Sequence, residues 1–156
     1  MKITYRKATL ADIPDLARLR IVFLKEVQSP ETHLVSEDGL DKILQDFFRQ
    51  YLANDEIVVW VAEVDNEIVS TSGLCFSKIM PGFTLLDGRV AYIMNIYTLP
   101  EWRKKGIGRQ VFHHILEAAK ERNYKRVLLH ATEDGRPIYE KFGFKATNDE
   151  MELRIE

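Results

Sequence analysis

Apolar residues recur along this chain with two different periods, and the switches between them mark out its elements. Lys2 to Lys7 alternates apolar and polar, with Ile3 and Tyr5 on one face, which predicts a short first strand. Ile13, Leu16, Leu19, Phe23 and Val27 then return at helical spacing. Thr9 is a good N-cap and Pro14 fits an early helical position, so a helix is predicted to about Gln28. Ser29-Pro30 breaks it, and an acid-rich loop follows. Ser36 caps a second predicted helix, in which Leu40, Ile43, Leu44, Phe47, Phe48, Tyr51 and Leu52 form a regular apolar stripe. Core packing is the simplest reading of that stripe.

The second half changes period. Ile57 to Val64 and Ile68 to Phe76 read as two strands joined at Asp65-Asn66, a tight hairpin turn. Ser77 to Gly88, with Met80-Pro81-Gly82, reads as a mobile loop. Tyr92 to Leu99 is dense enough in apolar and aromatic residues to be a buried strand, stopped by Pro100, which has no N–H for a ladder. Ile107, Val111, Ile115, Ala118 and Ala119 line one face of a helix ending near Asn123. Arg126 to Ala131 is another strand, and strand–helix–strand implies a parallel pair with a right-handed crossover. Thr132 to Gly135 starts a short helix that carries Pro137 in its first turn and ends at Gly143. Phe144 to Ile155 is expected to close the sheet as a strand, irregular at Thr147-Asn148-Asp149. The order is β-α-α-β-β-β-α-β-α-β, an α/β chain with a mixed sheet.

Composition narrows the function classes. The 156 residues, 46% hydrophobic and 29% charged, suit one globular domain spanning 1–156. A net charge of −2 gives no overall basic field for nucleic acid. No apolar run approaches the ~20 residues that cross a bilayer, and MKITYRK has no signal-peptide core, so a cytoplasmic location is expected. One cysteine offers neither an intrachain disulfide nor a thiolate cluster for a metal.

The chemistry concentrates after the strand at 92–99. Arg103, Lys104, Lys105, Gly106, Ile107, Gly108 and Arg109 lead straight into a helical pattern. A helix start leaves backbone N–H groups unpartnered and carries a partial positive charge. Glycines there let a ligand approach the backbone, and the cations neutralise it, so a phosphate or pyrophosphate is the natural guest. Neither G-x-x-x-x-G-K-[ST] nor G-x-G-x-x-G is present. The pattern is R-x-x-G-x-G after a strand ending in Leu-Pro.

That loop resembles the coenzyme A loop of the GNAT superfamily of N-acetyltransferases. Gly135 to Phe144, GRPIYEKFGF, is similar to a helix near the C-terminus of many GNAT enzymes, where a tyrosine precedes Gly-Phe by four residues; here these are Tyr139, Gly143 and Phe144. The element order resembles the GNAT fold over nearly the whole chain. The resemblance implies that strands near 92–98 and 126–131 splay apart to admit the pantetheine of acetyl-CoA, with backbone groups around Asn95, Ile96, Tyr97 and Thr98 as partners. It implies pyrophosphate on the N–H groups of Lys104 to Arg109, with Arg103 holding the loop or reaching a phosphate. The implied reaction is direct attack by a primary amine of a small molecule, peptide or protein on the thioester carbonyl. Tyr139 matches the position that meets the departing sulfur.

Two steps of that reaction need proton management. An alkyl amine, pKa ~10.4, must lose a proton before it attacks, and a thiolate of pKa ~8.5 must be stabilised as it leaves. The strand at 92–99 holds no carboxylate to act as base; Asn95 and Tyr97 are its polar groups, and Glu26, His33 and Glu63 are remote candidates. His130, ending a strand beside the expected cleft, is a candidate for substrate contact together with Asn95. Cys75, between Leu74 and Phe76, reads as a buried inert thiol. The adjacent His113 and His114 face different ways on a helix and form no metal pair. Glu31, Glu37 and Asp38 flank the expected acceptor region and would favour a cationic amine, or are simply solvated. A non-catalytic acyl-CoA sensor is the alternative class, although Tyr139 beside a complete anion loop favours an enzyme. A homodimer through the final strand is a further expectation of the resemblance.

Overall fold

One mixed sheet carries the molecule, and its strands lie in sequence order. The structure is a computed structural model that describes residues 1–147 and 149–156. Its elements are β1 (Thr4–Lys7), α1 (Ile13–Val27), α2 (Glu37–Ala53), β2 (Ile57–Val64), β3 (Glu67–Lys78), β4 (Arg89–Thr98), α3 (Ile107–Glu121), β5 (Arg126–Leu129) and α4 (Arg136–Lys141). The sheet order is β1-β2-β3-β4-β5, antiparallel from β1 to β4 and parallel between β4 and β5. The α3 crossover therefore joins a parallel pair, as expected. No helix among the described residues is long and apolar enough to cross a membrane.

Two apolar layers sandwich the sheet. On one face Leu16 and Leu19 of α1 and Phe48 of α2 meet Val59, Val61 and Tyr97. On the other, Phe112, Ile115 and Ala119 of α3 meet Val58, Leu74, Ala91 and Ile93. Alternation along β2 thus feeds both layers, which is why the strand reads as a continuous apolar run. Asp65 and Asn66 both take positive φ, 49° and 65°, as a two-residue hairpin turn that follows strand twist requires. The 77–88 segment is more ordered than its composition suggests. β3 runs on to Lys78, Ile79 N–H donates to the Gly88 carbonyl, and Gly82 and Leu85 exchange hydrogen bonds.

The expected closing strand is a correction. Residues 144–147 and 149–156 form no strand, and Met151, Leu153 and Ile155 stand exposed at 98%, 84% and 89%. Their alternation is real, but alternation specifies a face only where a sheet lies under it, and β5 pairs over four residues with β4 alone. Asn148, in the expected irregularity, lies outside the described residues.

Arg6 ties β1 to α1 and β2. Its guanidinium grips Asp12 with two bonds of 2.8 and 3.0 Å and reaches Glu63 at 2.7 Å. Asp12 also accepts the Thr9 N–H at 2.7 Å, so the residue expected to cap the helix is itself held by the acid three places on. Asp12 is buried, and the Arg6 bond holds its carboxyl below the usual range. We expect Asp12→Ala to cost about 1–2 kcal/mol, because a half-buried guanidinium loses a bidentate partner and the Thr9 N–H loses its acceptor. A depressed carboxyl pKa stabilises the fold above its unfolded value, and that share is lost as pH falls through the folded value. Denaturant unfolding should therefore show the gap between native protein and variant narrowing below about pH 4.

Candidate active site

β4 leaves β5 halfway along. The parallel register runs from Val90 opposite Arg126 to Ile93 opposite Leu129, where β5 ends, while β4 continues to Thr98. Among the described residues, Met94 to Thr98 therefore has no strand on that edge, and the gap foreseen between the two strands is present. A bulge sits at the same place on the other edge. Gly73 pairs with Met94 and Thr71 with Tyr97, so Asn95 and Ile96 oppose the single residue Ser72. Asn95 takes φ 61°, a left-handed conformation that asparagine tolerates better than most residues. Among the described residues, Asn95 Oδ1, Thr71 Oγ1 and Ser72 Oγ are buried without a hydrogen-bond partner, all three at this bulge. Buried polar groups are ordinarily hydrogen-bonded, so these atoms call for polar partners.

The basic turn stands just past the end of β4. Lys104 and Gly106 both have positive φ, 61° and 79°, the kind of left-handed turn from which backbone anion-binding concavities are made. Gly106 is the N-cap of α3, and no side chain caps the helix or places an acid in its first turn. The N–H groups of its first turn and its partial positive charge are therefore open to an anion. A Cβ on Gly106 would meet nothing within 4 Å, whereas one on Gly108 would lie 2.9 Å from Thr98 Oγ1. The two glycines thus serve different ends: Gly106 shapes the turn, and Gly108 lets α3 dock against β4.

Arg103 is committed to holding this turn. Its Nε donates to the Thr98 carbonyl at 2.9 Å, its Nη2 reaches Glu26 Oε2 at 3.1 Å, and its guanidinium lies 5.4 Å from the Tyr97 ring centroid. Tyr97 OH donates to Glu26 Oε1 at 2.6 Å. Burial and the neighbouring carboxylate push the Tyr97 phenol up to about 12, and the same bond, helped by Arg103, holds Glu26 below the usual carboxylate range. Glu26 thus clamps α1 to the basic turn. Lys105 lies over Trp102 and Arg109 over Phe142 at 5.6 and 5.8 Å, while Ile107 is buried in the core.

Tyr139 sits on the α3 side of the sheet. Its ring packs 5.2 Å from Phe112 and 6.4 Å from Phe144, in the apolar layer that also holds Ile96. The fit is close: a Cβ on Gly135 would fall 2.8 Å from the ring and 3.0 Å from the hydroxyl. Gly135 has an ordinary helical φ of −83°, so its role is space, and no turn signal reveals it in the sequence. Burial raises the Tyr139 pKa, and no described residue hydrogen-bonds the hydroxyl.

The other named residues separate cleanly. Glu26 and Glu63 are held in ion pairs with Arg103 and Arg6, and His33 is exposed in the loop after α1. His130 follows β5 with its ring 5.5 Å from Tyr92, exposed beside the gap. His114 stacks on Trp60 at 4.2 Å and 5°, and burial lowers its pKa, which is a packing role. Cys75 contacts Met94 Sδ at 3.5 Å, and burial pushes its thiol up, away from reactivity. Glu37 pairs with Lys25, and Glu31 takes the Ser29 hydroxyl.

On the α1–α2 side, a cavity of about 420 Å³ abuts the bulge. Ile43, Leu44, Phe47 and Phe48 of α2 line it, with Met94 and Asn95 of β4 opposite. The α2 stripe is therefore only partly core: Phe48 is buried, but Ile43 and Phe47 keep 57% and 36% of their surface exposed. Hydrophobic periodicity cannot distinguish a face that packs from one that lines a cavity. A second hollow, lined by Phe76, Arg89, Arg122 and Tyr124, is braced by Arg122 and Arg89 lying on the aromatic rings at 4.3 and 4.2 Å.

Comparison with known proteins joins these features. Residues 21–144 match the model of the Acetyltransferase (GNAT) family. The chain is similar to a predicted acetyltransferase of Clostridium acetobutylicum crystallised with acetyl-CoA, at 35% identity and TM-score 0.88, covering 98% of this chain and 96% of that one. A GCN5-related N-acetyltransferase of Ralstonia eutropha superposes with TM-score 0.86 at 25% identity, over 99% of both chains. Among curated proteins, it is 31% identical over 97 residues to glucosamine 6-phosphate N-acetyltransferase of Trypanosoma brucei brucei, 62% of this chain and 64% of that protein. An uncharacterized N-acetyltransferase of Escherichia coli is 27% identical over 146 residues, 90% of this chain and 80% of the relative.

Proposed function

The chain belongs to the GNAT acetyltransferase family, an acyltransferase family that uses acetyl-CoA as cosubstrate, and from that premise we propose that it acetylates a primary amine by direct attack on the thioester. The observation that carries this reading is the coincidence of three features around the end of β4: an unpaired strand edge, an uncapped helix N-terminus behind a left-handed turn, and a half-buried tyrosine without a hydrogen-bond partner among the described residues. Each supplies what a different part of acetyl-CoA requires. Ile96, Tyr97 and Thr98 offer an edge whose peptide groups suit an amide-bearing arm. The N–H groups of Lys104 to Arg109 suit a pyrophosphate. Arg103 acts on it indirectly, by fixing the turn.

Acetyl-CoA, when bound, supplies an activated acyl carbon. The acceptor nitrogen forms the new C–N bond there as the C–S bond breaks, and gives up one proton to solvent. Tyr139 holds its proton at neutral pH, because burial raises a phenol pKa that is already about 10. Its hydroxyl gives that proton to the leaving sulfur and regains one from water. Asn95 Oδ1 orients an acceptor N–H at the bulge, and His130 borders the same opening. No carboxylate is needed as base if the amine reaches the cavity neutral. Met151, Leu153 and Ile155, exposed beside the short β5, are where a second copy of the chain would pair.

The test is thiol release from acetyl-CoA with a panel of primary amines. Turnover with at least one amine, dependent on both components, supports an enzyme. Tight acetyl-CoA binding with no turnover on any amine class would favour the sensor instead.

A further inference from the structure

The α1–α2 cavity has a chemistry of its own. Its walls are largely apolar, and among the described lining residues Arg20 carries the only formal charge and none is a carboxylate. Arg20 is half-buried, and no described residue gives it an ion pair; its aromatic neighbour is Phe23, 5.9 Å from the guanidinium. A cation withdrawn from water without a counter-ion is costly, and burial indeed lowers its pKa. At the bulge, Asn95 Oδ1 is buried and lacks a donor. The cavity thus presents an unmatched positive group from α1, an unmatched acceptor from β4, and aromatic and aliphatic surface between them.

We propose that this cavity is the acceptor subsite for a small primary amine that carries an apolar body and a carboxylate, with Arg20 taking the carboxylate and Asn95 Oδ1 an amine N–H. The assignment rests on the acetyltransferase reading and refines it. Ile43, Phe47 and Met94 take the body, which explains why the α2 stripe is left partly uncovered. A volume of about 420 Å³ suits a small molecule. A polyamine is the wrong charge, since it brings cations to Arg20 and finds no acid among the lining residues. The acidic loop expected to attract a cationic amine supplies no group to the cavity. The same surroundings serve the chemistry. Apolar walls and a nearby guanidinium disfavour an ammonium, so the amine is held in its attacking, neutral form.

Calorimetry on the protein with coenzyme A present tests this with two matched pairs, L-phenylalanine against phenethylamine and 4-(aminomethyl)benzoate against benzylamine, plus putrescine. In at least one pair the carboxylate member should bind about tenfold or more tightly than its partner, with putrescine weakest. Arg20→Gln should level that ratio, and Arg20→Lys should keep part of it. Should Arg20→Gln fail to fold, Ile43→Glu supplies the check: it puts a fixed carboxylate into the cavity from a half-exposed position and should also abolish the preference. The proposal is overturned if neither acid binds, if the carboxylate-free members bind as well in both pairs, or if the preference survives these variants. Acetyl-CoA binding is measured separately. Its absence would sink the acetyltransferase reading, whereas acetyl-CoA binding with putrescine preferred would sink only the carboxylate subsite.

Discussion

Tyr139→Phe should lower kcat about 100-fold while leaving the dissociation constant for acetyl-CoA within about twofold, because the hydroxyl acts only as sulfur departs. The ring is held by Phe112, Phe144 and the bare backbone of Gly135, so phenylalanine keeps every packing contact and removes one oxygen. A thermal transition close to the native protein's would confirm that the loss is chemical. The pH profile gives a second readout. The phenol must be protonated to act, and burial raises its pKa, so the alkaline fall assigned to Tyr139 should lie above about pH 10. The variant should lack that limb. An equal loss in kcat and in cofactor affinity would instead mark Tyr139 as a packing residue.

Gly106→Glu should weaken acetyl-CoA about 100-fold or more, the largest expected effect on binding. A carboxylate would stand at the N-cap of α3, where it competes for the same N–H groups as a phosphate and repels it. The side chain has room, since a Cβ there meets nothing within 4 Å, but φ 79° is unfavourable for any L-residue and costs roughly 1–2 kcal/mol. Gly106→Ala bears that strain without the charge and separates the two contributions; its loss should be only severalfold. Gly108 is a poorer place for the experiment. A side chain there strikes Thr98 Oγ1, which shares a 2.8 Å hydrogen bond with Ser70, so binding and folding would fail together.

Much of this architecture is legible in the sequence because it rests on local signals. The hairpin at Asp65-Asn66, the stop at Pro100, the helix behind Gly106 and the crossover to Arg126 are each set by neighbouring residues, and each stands where expected. The last strand failed for the converse reason. Its pattern is local, but a strand exists only by pairing, and no local signal says whether an edge is available. The cavity was hidden in the same way. Ile43 and Phe47 look like Phe48 in sequence, and only the placement of α1, α2 and β4 decides which of them is covered. Arg20 falls on a helix whose apolar spacing draws attention elsewhere, and its lack of a counter-ion is a property of the folded chain. Glu26 shows the limit of residue type from the other side: a carboxylate that is only a remote candidate for base in the sequence is engaged by Tyr97 and Arg103 in the fold.

Calorimetric titration of acetyl-CoA into the unmodified protein tests most directly whether the end of β4 and the start of α3 form the cofactor site. One molecule per chain should bind in the micromolar range, and Gly106→Glu should abolish the signal while retaining a folded thermal transition. A folded native protein that gives no binding heat, and no change in thermal transition with millimolar acetyl-CoA, would contradict it.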